Sequence, residues 1–160
     1  MTTQTIYHMA LVGHIVGLTL MAGTTMADYI AFKQFWKQMA TDRLKGLATR
    51  EATSKFPMLI GIGILLLIIS GITMMAITHG AFGEQIWFRI KFGLVLIIII
   101  NGLAVGRRQG VKLNKILSEE MPDQNRAAIL PKMQRNIRLF HTVQLTLFIS
   151  IFVLSVFKFN

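Results

Sequence analysis

The chain has 160 residues, 53% of them hydrophobic and 15% charged, with a mean hydropathy of +0.56 and no cysteine. A soluble domain carries about 25% charged residues, so this deficit excludes a soluble enzyme, and the missing cysteines exclude a disulfide scaffold or a disulfide-built secreted domain. The net charge of +10 does not point to nucleic acid, because it is gathered into two connections between apolar runs rather than along a groove-binding face.

Residues 2–27, 57–78, 92–106 and 139–157 contain no Asp, Glu, Lys or Arg. A bilayer core about 30 Å thick needs roughly 20 apolar residues per helix, so the sequence predicts four transmembrane helices in one domain over 1–160. The fold class expected is all-α, an integral membrane four-helix bundle with helices at about 4–36, 57–79, 86–108 and 137–158. The N-terminal run has no basic leader and is longer than a signal core, so no cleaved signal is expected.

The first helix is longer than the membrane requires and should tilt or project beyond it. It carries His8 and His14, and Gly13 and Gly17 form a small-xxx-small pair that permits close helix contact or dimerisation. From His14, the positions Gly17, Met21, Thr25 and Asp28 recur at helical spacing and share one stripe. Asp28 should face the bundle and pair with Arg107 or Arg108. The second helix opens at Pro57, a residue suited to a first turn, and ends at His79. A turn at residues 80–83 leads to the third helix, whose first turns hold Arg89 and Lys91 and whose end holds a second small pair, Gly102 and Gly106. Beyond it, residues 111–117 should prolong the helix, and Pro122 and Pro131 should break the chain before the fourth helix. There, Arg138, His141, Gln144 or Leu145, and Phe148 form another stripe.

Charge fixes the expected topology. Lys33, Lys37, Arg43, Lys45, Arg50 and Lys55 lie in one connection; Arg107, Arg108, Lys112, Lys115, Arg126, Lys132, Arg135 and Arg138 lie in the other. Residues 79–86 and the N-terminus have no Lys or Arg, and the C-terminus has only Lys158. By the positive-inside rule both termini are outer and the two basic loops are cytoplasmic, where they meet anionic lipid.

All four histidines, His8, His14, His79 and His141, lie in or at the ends of these spans. An ionisable residue at membrane depth is by default a functional candidate. The lack of cysteine and of Glu inside a span argues against zinc–thiolate, iron–sulfur and carboxylate di-iron sites, and neutral imidazole in an apolar bundle is the ligand type of b-type haem. Depth pairs His79 with His8 or His14 as axial ligands near the outer interface, with Gly17 leaving room for a flat macrocycle and Arg89 and Lys91 placed to meet propionates. A second site around His141 and Asp28 would lie at the opposite end. No residue order of a hydrolase and no phosphate-binding loop is present.

In layout the chain resembles small four-helix membrane proteins that include the HemJ-type haem-dependent protoporphyrinogen oxidases and the CopD-like copper-resistance membrane domain. The resemblance is carried by His14 eight residues before Ala22-Gly23, by Trp87 and Lys91 opening the third helix, in part by Arg138 and His141, and by the closing Val156-Phe157-Lys158-Phe159. It implies a b-type haem held through His14 and a functional role for Lys91. The chain departs from the oxidase pattern at Asp28, where the pattern has arginine, and at His141-Thr142 and Gln144, where it has Asn-Glu and then proline.

The expectation is a haem-b membrane protein with a redox role, electron transfer or porphyrinogen oxidation, in a bacterial inner membrane, with a quinone among the possible acceptors. Its alternatives are a binding or transport protein for copper or haem, and a non-catalytic structural or assembly subunit. Self-association through the Gly13/Gly17 or Gly102/Gly106 face is open to each.

Overall fold

The computed structural model describes residues 2–81, 83–118 and 123–157. No strand occurs among them. Phe82, Pro122 and Lys158 lie outside the described residues. The helices, in chain order, are α1 (Thr3–Leu18), α2 (Thr24–Thr41), α3 (Arg43–Ala52), α4 (Phe56–Ile77), α5 (Ile86–Asn101), α6 (Arg107–Ser118) and α7 (Asp123–Phe157). Single π-turns, Thr19–Gly23 and Gly102–Gly106, join α1 to α2 and α5 to α6 without breaking either rod.

Four stretches are long and apolar enough to cross a membrane: Thr3–Thr41, Arg43–Ile77, Ile86–Leu117 and Ala128–Phe157. Their surfaces are apolar too. Val12, Leu65, Ile72, Ile100, Ile149 and Phe152 all face outward. Such a surface suits lipid, because helices satisfy their own backbone groups and need no water.

The spans are longer than the apolar runs from which they were expected; 111–117 prolongs the third helix as expected, within α6, and the first basic connection forms a further helix, α3. After Thr41 the chain turns at Asp42, whose carboxylate Oδ1 accepts from the Leu44 N–H at 3.0 Å and the Lys45 N–H at 3.3 Å. That is an N-cap, and it starts α3. α3 then folds back on α2, with Gly46 against the Met39 side chain and Thr49 donating to Gln38. Pro131 does not break the chain as expected but lies inside α7. A proline lacks the N–H that would bond one turn earlier, yet neighbouring packing can hold such a helix together. Here Leu130 and Met133 on either side of it pack into a core with Phe35, Leu113, Ile116 and Ile137.

Two apolar cores therefore stack along the bundle. The one just described joins α2, α6 and α7 at the basic end. The other lies within the spans, where Met21, Ile98, Phe148 and Ile151 pack with Ile60, Ile64 and Leu67. Between the two is a polar layer. The Asn101 amide donates to Gln144 Oε1 at 2.9 Å, Gln144 Nε2 donates to the Ile98 carbonyl at 3.3 Å, and Thr25 Oγ1 donates to the Met21 carbonyl at 2.8 Å.

α1 packs along α4, and α5 packs along α7, with α2 joining the two pairs. The α1–α4 contact is set by glycine. A Cβ on Gly63 would meet the Gly17 carbonyl oxygen and the Met21 nitrogen at 2.8 Å, and a Cβ on Gly17 would meet the Gly63 carbonyl oxygen at 2.9 Å. Only hydrogen fits between these backbones. Gly106 likewise faces the Phe140 ring, where a Cβ would lie 2.7 Å from Cζ. The Gly17 and Gly106 faces are thus filled from within the chain.

Candidate functional site

The close α1–α4 approach at Gly17 sets the neighbours of the residue one turn earlier. His14 Nδ1 lies 2.9 Å from Ser70 Oγ on α4. Ser70 is itself tied to its own helix, its hydroxyl 2.6 Å from the Leu66 carbonyl. A hydroxyl has one hydrogen. If Ser70 donates it to Leu66, its oxygen accepts from His14 Nδ1–H, and Nε2 is left as the imidazole's lone-pair nitrogen. The ring packs on Gly71, its Cε1 3.8 Å from where a Cβ would sit.

From α5, Lys91 lies within electrostatic range of His14. Trp87, one turn earlier, is buried. Three helices thus contribute a fixed imidazole, its hydroxyl anchor and a cation to one region.

The other expected ligands fall elsewhere. His8 is exposed on α1 and stacks edge-on against Tyr7 at 6.1 Å. It lies six residues from His14, a third of a turn away around the helix. His79 ends α4: its N–H donates to the Ala76 carbonyl at 3.3 Å, and the Gly80 N–H donates to the Met75 carbonyl at 3.0 Å. Its φ is +50°, and that of Gly80 is +74°. This is a helix-terminating motif in which a left-handed residue, most often glycine, closes the last turn. His79 occupies that position and its side chain is exposed. It lies nine residues beyond Ser70, about 13 Å along the helix. Arg89 Nε donates to the Gly83 carbonyl at 3.0 Å and closes the α4–α5 turn.

His141 is the most buried histidine, 3% exposed, between the rings of Tyr29, Phe32 and Phe140. Its Nε2 lies 3.7 Å from Asp28 Oδ2, an ion-pair distance but longer than a hydrogen bond. Its Nδ1 is buried without a hydrogen-bond partner among the described residues. Asp28 therefore meets His141 in place of Arg107 or Arg108, with the Arg50 charge of α3 also in range. No group of three or more His, Asp or Glu side chains converges among the described residues.

Sequence reasoning did not single out Ser70 or Asn101. Ser70 could have been found as a hydroxyl isolated in a long apolar run, facing the histidine stripe of the first helix.

The fold defines a class: an all-helical protein with four helices able to span a membrane, the build of an integral membrane protein. Comparisons with protein-family models, with curated proteins and with solved structures find no match.

Proposed function

We propose that the protein is a b-type haem-binding integral membrane protein with a redox role, with both termini and the 79–86 turn on the outer side of a bacterial inner membrane. The observation that carries this reading is the His14 imidazole. A metal-ligating histidine is held by a hydrogen bond from its second nitrogen, which fixes ring orientation and tautomer. The Ser70–Nδ1 contact at 2.9 Å does this for His14. His14 Nε2 would hold the haem iron, Ser70 would keep the ring from turning, and Lys91 would meet the carboxylates of haem or of a tetrapyrrole substrate. Bound haem would supply one-electron chemistry, which none of these side chains has.

His8 and His79 have no such anchor, so the reading assigns the axial role to His14 alone. The test is a haemin titration of detergent-purified wild type, His14→Ala, Ser70→Ala and His79→Gly. His14→Ala should lose the Soret shift. Ser70→Ala should bind about 10–100-fold more weakly, the usual effect of removing an outer-shell partner. His79→Gly should bind like wild type. Undiminished binding by His14→Ala would refute the assignment.

A further inference from the structure

At the basic end, α2 and α7 enclose a groove of about 500 Å³. It lies just past the polar layer, where Lys33 and Lys37 come five and nine residues after Asp28, and Arg138 precedes His141 by one turn. Arg107 and Arg108 reach the same height, since Gly106 beside them packs on Phe140. This is the level at which the apolar spans give way to charge.

The groove is lined by two kinds of side chain: Lys33, Lys37 and Arg138 with the amide of Gln134, and the rings of Tyr29, Phe32 and Trp36. None of these lining residues is acidic. The spacing explains the arrangement. Tyr29, Phe32 and Trp36 recur at three and four residues along α2, and Lys33 and Lys37 lie one position beyond two of them. Lys33 Nζ sits 4.5 Å from the Tyr29 ring centroid. The rings brace one another, Phe32 on Trp36 at 6.0 Å and Phe35 on Trp36 at 5.1 Å. The Trp36 indole N–H is buried and has no hydrogen-bond partner among the described residues.

We infer that this groove is a binding site for an anionic phospholipid. The phosphate is held by Lys33, Lys37 and Arg138, and the glycerol and first acyl carbons lie on the Tyr29, Phe32 and Trp36 rings. Three cations and the Gln134 amide match the several acceptor oxygens of a phosphodiester; the rings match what is attached to it. A lipid is favoured over a soluble anion because the groove stands at headgroup height, between apolar spans and a cationic end, with three aromatic rings among its lining residues. The inference rests on the membrane topology proposed above and is independent of haem.

The test is lipid binding by the detergent-purified full chain, followed by native mass spectrometry and by thermal stability. Phosphatidylglycerol is compared with phosphatidylcholine, and inorganic phosphate serves as competitor. The expected result is saturable binding of about one phosphatidylglycerol, a higher melting temperature, and little effect of phosphatidylcholine or millimolar phosphate. In the triple variant Lys33→Gln, Lys37→Gln, Arg138→Gln, affinity should fall on the order of tenfold or more. An equally neutralised control, Lys55→Gln, Arg108→Gln, Lys112→Gln, should keep it. Equal loss in both variants would mean diffuse attraction rather than a site. Displacement of the lipid by inorganic phosphate would mean a soluble-anion site. Equal binding of the two lipids by wild type would overturn the inference without any variant, so misfolding of the triple variant cannot shelter it.

Discussion

Gly63 separates two backbones by the width of a hydrogen atom. Gly63→Ala would place a methyl group 2.8 Å from the Gly17 carbonyl oxygen and force α1 away from α4. Overpacking of this kind costs about 1–3 kcal/mol, so the melting temperature in detergent should fall. Because His14 reaches Ser70 across the same contact, haem affinity should fall with it. His79 gives the opposite expectation. A side chain held at a φ of +50° carries backbone strain that glycine lacks. His79→Gly should therefore stabilise the fold by about 1 kcal/mol, read as a rise in melting temperature. The Gln144 amide, 4% exposed, bridges α7 to α5. Interhelical hydrogen bonds in membrane proteins average about 0.6 kcal/mol, so Gln144→Leu should cost no more than about 1 kcal/mol on thermal unfolding.

Much of this residue-level pattern was legible in the sequence. The stripe from His14 through Gly17, Met21 and Thr25 does turn inward, as does that of His141, Gln144 and Phe148. Helical spacing alone identifies such faces. What spacing cannot identify is the partner. Spacing offers Gly17 as room for a macrocycle, and the Gly63 backbone packs against it, because a glycine face invites another backbone as readily as a flat ligand. Ser70 was missed for the same reason: its meaning depends on which helix lies opposite.

At the scale of elements, the main departures from expectation are the helix α3 in the first basic connection and the unbroken α7. The helical stretch at 111–117, where Leu113 and Ile116 are buried, follows the expectation, but charged, loop-like composition concealed a cap at Asp42 that starts α3. Arg50 of α3 then donates to Asn114 of α6 at 3.0 Å, tying the two connections together. The cap should be measurable locally. Asp42→Ala should cost about 1 kcal/mol, seen as faster amide hydrogen exchange over Arg43–Ala52 with the transmembrane core unchanged. Pro131 shows the limit of punctuation rules. A helix anchored on both sides of a proline by core residues tolerates a missing hydrogen bond that would end an isolated one.

For the whole molecule, two stacked cores and a polar layer between them arrange function by depth. His14 and Lys91 occupy the half of the bundle away from the charged end, and the cationic groove occupies the other. The proposed orientation of that axis rests on the positive-inside rule. The natural chain has no cysteine, so single cysteines report topology without background. A cysteine at Glu84 should react with an impermeant maleimide in intact cells, and one at Lys45 or Lys112 should react only after lysis.

The most direct test of the account is the absorption spectrum of the detergent-purified wild-type protein, oxidised and dithionite-reduced, with a pyridine haemochrome assay for stoichiometry. The account predicts a Soret band, a reduced α-band and close to one b-type haem per chain. A colourless protein that takes up no added haemin would contradict it, and His14 and Ser70 would then be a hydrogen bond that joins two helices.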